Sequence, residues 1–324
     1  MNLAMIGLGR MGGNMVKRLA QGGHDVVAYD VDPAPGKELA DTFNSVTAAS
    51  DLADVIAKLA TPRVIWVMVP HQYVDATITS LLQAGVEAGD LIIDGGNSNY
   101  KEGQRRGTEL AEKGVLFADC GTSGGVWGLA NGYSLMIGGE KAAIDLIAPA
   151  LTTLASNDGK GWGHMGPVGS GHFVKMVHNG IEYGMMQAFA EGYEMMQAKK
   201  EFDLDLHQIS RVWQHGSVVS SWLLDLTGDA LEQNPELSTL SDWMDDSGEG
   251  RWTVKESIDL GVPTPVLTLA LQMRFRSRQK DAFAGKIVNA QRAGFGGHAI
   301  KPADDVSAGN VGDSNVVDMK KEDN

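Results

Sequence analysis

The residues best suited to chemistry lie between positions 171 and 183. If this segment is a helix, five side chains of different types share one face, at positions i, i+3, i+4, i+7 and i+8: Lys175, His178, Asn179, Glu182 and Tyr183. A lysine that can lose a proton, beside a glutamic acid that can donate one, is what acid–base chemistry on a polar substrate requires. The alternative is a solvated face, which is usually rich in Glu, Lys and Gln. The mixture of types favours an active-site face.

The opposite side of the same predicted helix is apolar. It carries Val174, Val177, Ile181 and Met185. Because an amphipathic helix usually buries its apolar side, we expect these residues to anchor the helix. The remainder of the chain must then supply a cofactor and a clamp for the substrate.

The composition excludes several classes of partner. The chain has 324 residues and a formal charge of −14, which argues against a nucleic-acid or anionic-membrane surface. Its one cysteine, Cys120, excludes an intramolecular disulfide and fits a reducing compartment. No signal peptide, membrane-length apolar run or metal-ligand spacing is present, so we expect a cytoplasmic enzyme without a metal site.

A glycine-rich turn near the start of the chain predicts a dinucleotide cofactor. The apolar run at 3–6 leads into Gly7-Leu-Gly-Arg-Met-Gly12, a helical pattern, a second strand at 26–29 and then Asp30. This order is the whole βαβ nucleotide-binding unit, which is much stronger evidence than the glycines alone. We expect Gly7 to allow the tight turn, Gly9 the approach of a pyrophosphate, and Gly12 the close packing of helix and strand. The residues expected at the cofactor are Gly7, Gly9, Arg10, Met11, Gly12, Asp30, Val69, Pro70 and Asn97.

Asp30 favours NAD over NADP. Its carboxylate can accept hydrogen bonds from the adenosine ribose and would repel a 2′-phosphate, and no arginine follows it in Val31-Asp32. Arg10 could still assist such a phosphate, so NADP stays possible. The two aspartates also suit a turn or helix cap before Pro33, which is compatible with the cofactor role.

Later patterns complete a two-domain prediction. Apolar strands at 64–69, 91–94, 115–119 and 133–137 alternate with helical segments, and strand signals cease after 161–167. We therefore expect an α/β N-terminal Rossmann-like dinucleotide-binding domain at 1–168, followed by an all-α C-terminal domain at 169–301 and a flexible tail at 302–324. Ligands bind outside the carboxyl ends of such strands, which makes Asn97 and Ser123-Gly124-Gly125 candidate contacts. The pair Gly138-Gly139 is expected to be a plain turn.

Two basic segments in the helical region suit an anion. A glycine-rich turn at 246–250 opens a helix that carries Arg251 and Thr253, and it could instead be an ordinary capped helix start. Arg274, Arg276 and Arg278 form a basic run in an acidic protein. For Arg276 and Arg278, anion binding and a solvated helix end are equally good interpretations.

Taken together, these residues resemble the decarboxylating 6-phosphogluconate dehydrogenases, within the wider β-hydroxyacid dehydrogenase superfamily, over nearly all of 1–300. The glycine turn, Ser123-Gly-Gly125 and the early lysine of the interdomain helix indicate the superfamily. The narrower assignment depends on four segments: Asp94-Gly-Gly-Asn-Ser98, 169–183, Gly248-Glu-Gly-Arg-Trp-Thr253 and Arg292-Ala-Gly-Phe-Gly-Gly-His298. The chain lacks the duplicated helical region of the long members and so resembles the short form.

The resemblance implies a role for each candidate residue. Lys175 is the general base at the C3 hydroxyl and then an acid at the ketone, Glu182 protonates C1 of the enediol, and Asn97 joins the catalytic set. Tyr183, Arg251, Thr253 and Arg274 gather at the phosphate, with Arg292 and His298 from a neighbouring subunit of a homodimer or homotetramer. The residues expected at the substrate are Asn97, Ser123, Gly124, Gly125, Lys175, His178, Asn179, Glu182, Tyr183, Arg251, Thr253, Arg274, Arg292 and His298.

This resemblance implies oxidative decarboxylation of 6-phosphogluconate, with NAD preferred, as in the pentose phosphate pathway. Asp30-Val31-Asp32 replaces the Asn-Arg-Thr-like triplet of NADP-preferring members, and Arg251 replaces a common lysine. Two alternatives remain. One is an NAD-dependent dehydrogenase of an unphosphorylated β-hydroxyacid such as 3-hydroxyisobutyrate, which shares the lysine but needs none of Glu182, Arg292 and His298. The other is a scaffold that binds NAD without turning it over.

Overall fold

The structure is a computed structural model and describes residues 1–296. The expectations for His298 and for the tail at 302–324 lie outside the described residues. The chain forms two compact units. The first contains Met1–Glu182 and Ser247–Thr264, and the second contains Tyr183–Asp246 and the described residues from Pro265 to Gly296.

The first unit is built on one eight-stranded sheet flanked by helices. The strands are β1 (Asn2–Ile6), β2 (Asp25–Tyr29), β3 (Val46–Ala48), β4 (Val64–Val67), β5 (Leu91–Asp94), β6 (Leu116–Ser123), β7 (Ser134–Gly139) and β8 (Trp162–Gly166). The helices are α1 (Arg10–Gln21), α2 (Pro33–Thr42), α3 (Leu52–Lys58), α4 (Val74–Ala84), α5 (Tyr100–Ala111), α6 (Gly128–Asn131) and α7 (Lys141–Leu154). The remaining helices are α8 (Ser170–Ala198), α9 (Leu206–Gln214), α10 (Trp222–Gln233), α11 (Glu249–Asp259), α12 (Pro265–Ser277) and α13 (Phe283–Gly296).

The strand order is β3-β2-β1-β4-β5-β6-β7-β8. All neighbouring strands pair in parallel except β6 and β7, which are antiparallel. The chain runs outward from β1 to β3 and then returns to β4 on the other side of β1. This reversal opens a crevice outside the carboxyl ends of β1 and β4, where ligands bind in such sheets.

The Rossmann-like fold predicted from the sequence is confirmed, although two strands were missed. β3 has only three residues, too few for a recognisable pattern. β8 lies within 161–167, the stretch after which strand signals were expected to cease, and it was not among the expected strands. Its sequence, Trp-Gly-His-Met-Gly, has no apolar run because the strand lies at the partly exposed edge of the sheet.

Two apolar layers cover the sheet. β4 is buried along its whole length, and its residues alternate between the layers. Val64 and Trp66 pack in one layer, while Ile65 and Val67 pack in the other. This alternation explains why the strand reads as a continuous apolar run, since successive side chains of a strand point to opposite faces.

The second unit is helical in its described part. Its small core contains Tyr193, Leu224 and Leu231. The Tyr193 ring meets Trp213 edge-on at 6.0 Å between centroids, and its hydroxyl lies 2.6 Å from Ser210 Oγ. No helix among residues 1–296 combines the length and apolarity needed to cross a membrane.

Three glycines allow the start of α8 to lie directly against β6 and β7. A Cβ atom on Gly171 would lie 2.4 Å from the carbonyl oxygen of Met136. One on Gly138 would lie 2.7 Å from the nitrogen of Gly171, and one on Gly121 would lie 2.3 Å from Cβ of Lys175. Such distances are sterically impossible, so glycine is required at each position. The expectation of a plain turn at Gly138-Gly139 is wrong, because both residues belong to β7.

The side of α8 that meets the sheet is the opposite of the one expected. Lys175 and Asn179 are buried, whereas Ile181 is 51% exposed and Met185 is 40% exposed. Gly171, Lys175 and Asn179 are four residues apart, so the clearance at Gly171 turns the polar side of the helix inward. Val174 and Val177 on the expected side are half-buried, so the apolar side contributes to the packing but is not the main anchor.

A buried carboxylate fixes the first turn of α8. Asp119 on β6 is fully buried and accepts hydrogen bonds from the backbone nitrogens of Gly169 at 2.5 Å and His172 at 2.7 Å. Both donors belong to the amino-terminal end of the helix, whose N–H groups have no partner within the helix and carry partial positive charge. The contact therefore sets both the position and the direction of α8.

We predict that Asp119→Asn lowers the free energy of unfolding by about 2 kcal/mol. The asparagine keeps one oxygen acceptor but turns an NH₂ group towards a backbone N–H. Urea denaturation followed by circular dichroism measures the change. Asp145→Asn is the matched control, because Asp145 is an exposed partner of Lys141 on α7 and its loss should cost less than about 0.5 kcal/mol. Equal losses in the two variants would contradict the anchoring role of Asp119.

Candidate active site

A cleft lies outside the carboxyl ends of β1 and β4. Its volume is about 560 Å³, and its lining includes Gly7, Gly9, Asp30, Val69 and Pro70. All five residues were expected at the cofactor. The cleft thus lies at the reversal of strand order, where a dinucleotide binds in sheets of this kind.

The glycines of the first turn have the geometry that a bound pyrophosphate needs. Gly7 has φ of 94°, in the left-handed region that favours glycine. A Cβ on Gly12 would lie 2.0 Å from the carbonyl oxygen of Gly7, so only a glycine at position 12 lets α1 pack this closely against the turn. Gly9 faces open space and directly precedes α1, whose free N–H groups can then reach an anion. Arg10, which is exposed, and Met11, which is half-buried, form the first turn of that helix.

Asp30 holds the glycine turn as well as bordering the cleft. Its Oδ2 accepts from the backbone nitrogen of Leu8 at 2.6 Å, and its Oδ1 accepts from the nitrogen of Asp32 at 3.0 Å. Asp32 caps α2 through the nitrogen of Ala34. Each oxygen of Asp30 keeps a lone pair for a ribose hydroxyl. The described lining of the cleft includes no Lys or Arg to balance a 2′-phosphate.

Four of the expected substrate residues form one hydrogen-bonded chain. Lys175 Nζ donates to Asn179 Oδ1, and Asn179 Nδ2 donates to Glu249 Oε2 on α11. His178 Nδ1 lies 2.9 Å from Asn179 Oδ1, and its Nε2 lies 3.4 Å from Ser123 Oγ at the end of β6. Lys175 is 6% exposed, so its amine is removed from bulk water. The arrangement places a buried amine among groups that bind hydroxyls.

Burial lowers the pKa of Lys175 below 10.5, because a charged amine is poorly solvated there. The carboxylates of Glu249 and Glu182 act in the opposite direction and raise the pKa of the amine. A lysine whose pKa is lowered by burial is a better general base near neutral pH.

Glu182 lies on the same face of α8, seven residues after Lys175, which is about 10 Å along the helix axis. Its Oε2 is 3.9 Å from His178 Nδ1, and both side chains are about 40% exposed. They are therefore open to a ligand. The buried hydroxyl of Thr253 donates to the carbonyl oxygens of Met176 at 2.8 Å and Glu249 at 2.9 Å, which ties α11 to α8.

A buried ion-pair network supports the loop that carries Asn97. Asp94 is fully buried, and its oxygens accept from the nitrogen of Gly96 at 3.0 Å and from Arg106 Nη1 at 2.9 Å. Arg106 Nε donates in turn to Asp75 at 2.7 Å and holds the pKa of that carboxyl down to about 2. Asn97 itself is exposed, with φ of 53°. Gly124 and Gly125 at the neighbouring strand end also have positive φ values, of 122° and 52°.

The expected phosphate residues are placed in both units. Arg251 is exposed on α11 in the first unit. In the second unit, the Arg274 guanidinium lies 3.6 Å above the Tyr183 ring and donates to the carbonyl oxygen of Asp245. Arg292 is exposed on α13.

The two other arginines of the basic run have structural roles. Arg278 forms ion pairs with Asp245 and Asp246 at 3.2 and 2.8 Å. Arg276 donates to the carbonyl oxygen of Gln279 at the helix end. A cluster of three or more His, Cys, Asp or Glu residues suited to a metal ion does not occur in the described part of the chain.

Two residues of the site were missed by the sequence analysis. Glu249 lies in the segment Gly248–Thr253, but a glutamate in the first turn of a helix ordinarily interacts with the helix end, so its type and position did not mark it as part of the site. Arg106 is surrounded in sequence by charged residues of an amphipathic helix, so its burial against Asp94 had no local signal.

Comparisons with known proteins agree with this geometry. Residues 2–166 match the NAD binding domain of 6-phosphogluconate dehydrogenase, and residues 171–283 match the C-terminal domain of 6-phosphogluconate dehydrogenase. The NAD(+)-dependent, decarboxylating 6-phosphogluconate dehydrogenase of Haloferax volcanii is 40% identical over 307 residues, which cover 94% of this chain and 100% of that protein. The NADP(+)-dependent, decarboxylating enzyme of Bacillus subtilis is 36% identical, over 86% of this chain and 62% of its own length.

A solved structure has the same fold. The 6-phosphogluconate dehydrogenase of Plasmodium falciparum superposes with a TM-score of 0.79 at 29% identity, covering 94% of this chain and 67% of that one. Both domain models together span most of the present sequence. The chain therefore belongs to the 6-phosphogluconate dehydrogenase family.

Proposed function

We propose that this protein oxidises and decarboxylates 6-phospho-D-gluconate to D-ribulose 5-phosphate and CO₂, with reduction of NAD. The observation that carries the proposal is the buried amine of Lys175, hydrogen-bonded to Asn179 on one helix face with Glu182 two turns further on. The Haloferax volcanii relative, which the chain matches over its whole length, is named for NAD(+)-dependent decarboxylation.

Lys175 serves the oxidation step. Bound nicotinamide supplies the acceptor for the hydride that leaves C3. Neutral Lys175 removes the proton of the C3 hydroxyl as the C3–H bond breaks, so the product is a 3-keto acid and an ammonium group. The ammonium then donates its proton to the ketone oxygen while the C1–C2 bond breaks and CO₂ leaves, which returns Lys175 to its neutral form.

Glu182 serves the last step. Loss of CO₂ leaves an enediol, whose terminal carbon must gain a proton to give the ketose. Glu182 donates this proton from its partly exposed position, while Lys175 takes the proton of the hydroxyl on the former C3, so that the ketose carbonyl forms there. The two residues therefore act in sequence, and their separation along α8 lets them reach neighbouring parts of one substrate.

The remaining candidates bind the substrate. Asn97, Ser123, the Gly124-Gly125 backbone, His178 and Asn179 hold the hydroxyls and the carboxylate. Arginine forks pair bidentately with phosphate oxygens, so we assign the phosphate to a clamp formed by Tyr183, Arg251, Thr253, Arg274 and Arg292. His298 belongs to the same proposed clamp and lies outside the described residues. We keep residues 1–168 as the cofactor domain and 169–301 as the substrate domain.

We further propose that the protein works as a homodimer or homotetramer. The second unit exposes large apolar side chains that a soluble monomer would rarely leave uncovered, namely Val212 (63%), Val266 (64%), Leu269 (60%), Phe283 (72%) and Phe295 (80%). An oligomer would also let Arg292 complete the site of a neighbouring copy. Sedimentation equilibrium of the full chain should give at least twice the monomer mass, and a monomer at micromolar concentration would contradict this proposal.

Removing either proton-transfer residue should lower turnover strongly without abolishing it. We expect Lys175→Met and Glu182→Gln each to lower kcat for 6-phosphogluconate by about 10²–10⁴-fold. Because a neutral base is required, the wild-type rate should rise with pH through the pKa of Lys175, which lies below 10.5. The assay is initial-rate reduction of NAD, with Lys141→Met as a control at an exposed lysine.

The same assay separates the proposed substrate from its alternatives. Normal turnover by Lys175→Met would contradict the mechanism. Equal activity of the wild type on 3-hydroxyisobutyrate would favour a dehydrogenase of unphosphorylated acids. Binding of NAD with no turnover of either acid would point to a scaffold.

The cofactor preference should depend on Asp30. We expect kcat/KM to be higher with NAD than with NADP. Asp30→Asn should lower the ratio of kcat/KM with NAD to kcat/KM with NADP by about tenfold, which corresponds to about 1.4 kcal/mol of discrimination between the cofactors. Asp25→Asn is the matched control, since Asp25 is exposed at the amino end of the same strand, about 16 Å from Asp30 along the strand. Equal or better use of NADP by the wild type would contradict the role given to Asp30.

A further inference from the structure

The side chain of Glu249 has no role in the mechanism above, although it is buried at the site. It is 7% exposed in the first turn of α11. Its Oε2 accepts from Asn179 Nδ2 and from Ser247 Oγ, the latter at 3.0 Å. Both donors are neutral, and a buried carboxylate is unfavourable unless it is well hydrogen-bonded or compensated by a nearby cation.

This carboxylate determines which way the Asn179 amide points. An ionised carboxylate only accepts hydrogen bonds, so the amide nitrogen must face Glu249. The amide oxygen must then face the opposite way, towards Lys175 Nζ and His178 Nδ1. A flipped amide would turn its NH₂ group towards the lysine and bring two oxygens together at Glu249.

The orientation of the Asn179 amide also determines which atoms of His178 and Ser123 donate and which accept. Because Asn179 Oδ1 accepts, His178 Nδ1 must carry the proton that it donates. In a neutral ring His178 Nε2 is then an acceptor, and the Ser123 hydroxyl at 3.4 Å donates to it. One carboxylate therefore sets the direction of every hydrogen bond from Ser123 to Lys175.

We propose that Glu249 is a positioning residue, whose carboxylate orients Asn179 and thereby holds the Lys175 amine and the His178 ring in the arrangement needed for proton transfer. It touches no reacting atom and acts only through Asn179. The proposal rests on the proposed function in one respect, namely that Lys175 is the base.

Glu249 has a second effect through its charge. The titratable groups that face the Lys175 amine are His178, which shares the acceptor Asn179 Oδ1 with it, and Glu182 and Glu249, whose charges act on it. Asp119 and Cys120 lie on β6, the strand whose Gly121 packs against Lys175. Asp119 is engaged by backbone N–H groups, and burial raises the pKa of the Cys120 thiol to about 12, so that thiol stays neutral. Glu249 and Glu182 both raise the pKa of Lys175, against the larger opposing effect of burial. Removing the charge of Glu249 should therefore lower the pKa of the amine.

The test uses two substitutions at one position. Glu249→Gln keeps an oxygen that accepts from Asn179 but removes the charge. We expect its kcat to stay within about fivefold of wild type, while the acidic limb of the kcat/KM profile moves to lower pH by about one unit. Glu249→Leu removes the acceptor, and we expect kcat to fall by about 10–100-fold with KM changed less than about threefold.

Glu256→Gln is the matched control. It removes the same charge from the same helix, where Glu256 pairs with Lys101 at 3.1 Å and not with Asn179. We expect neither the pH profile nor kcat to change. An unchanged kcat in Glu249→Leu, or an equal shift of the limb in both glutamine variants, would overturn the proposal. If Glu249→Leu does not fold, the position of the acidic limb in the kcat/KM profile of Glu249→Gln tests the proposal by itself, and an unshifted limb would overturn it.

A measurement without substrate keeps this proposal separate from the proposed function. NMR of labelled lysine side chains follows the titration of Lys175, whose signal is identified by its absence in Lys175→Arg. The midpoint should be lower in Glu249→Gln than in wild type, and the same midpoint in both would overturn the role of Glu249. Failure of the wild type to turn over 6-phosphogluconate would instead contradict the proposed function.

Discussion

The contact between the first turn of α8 and strands β6 and β7 is the constraint on which the candidate site depends. Glycine at 121, 138 and 171 removes every Cβ that would separate the helix from the strands, and Asp119 binds the helix end through two backbone N–H groups. The same approach buries Lys175 and lowers the pKa of its amine. The lowered pKa of Lys175 is therefore a consequence of how closely the backbone of α8 can pack against the backbones of β6 and β7.

Two kinds of support hold the residues around this lysine. At the end of β5, the buried Arg106 donates a hydrogen bond to Asp94, which directly precedes the loop that carries Asn97. This buried ion pair holds the end of the strand in place. On the helix side, α11 contributes Glu249 and Thr253, which bind the side chain of Asn179 and the backbone of Met176. His178 and Glu182, each about 40% exposed, lie on the same helix face as the buried amine. Buried hydrogen bonds from β5 and α11 thus surround the polar face of α8. Fixed positions of this kind are what proton transfer between preorganised groups requires.

Local patterns were sufficient for the fold class and for most of its strands, although not for β3 and β8, and they placed the candidate side chains of α8 on one helix face. The glycine turn, the buried strands and the polar face of α8 each have a spacing that reflects the geometry of one element, so they were predictable from the sequence. The side of α8 that packs inward was not, because it depends on clearance at Gly121 and Gly138, far away in sequence. Glu249 was missed for the same reason, since its partner Asn179 lies 70 positions earlier.

The lack of a side chain at Gly121 also means that positions 121 and 175 cannot change independently during evolution. A side chain at 121 and a lysine at 175 compete for one volume, since the added Cβ would fall 2.3 Å from that of Lys175. Any lineage that keeps the amine must keep the glycine, although the glycine contacts no ligand. Genetic screens for lost activity should therefore recover position 121 as well as position 175, the first because of its steric contact and the second because of its amine.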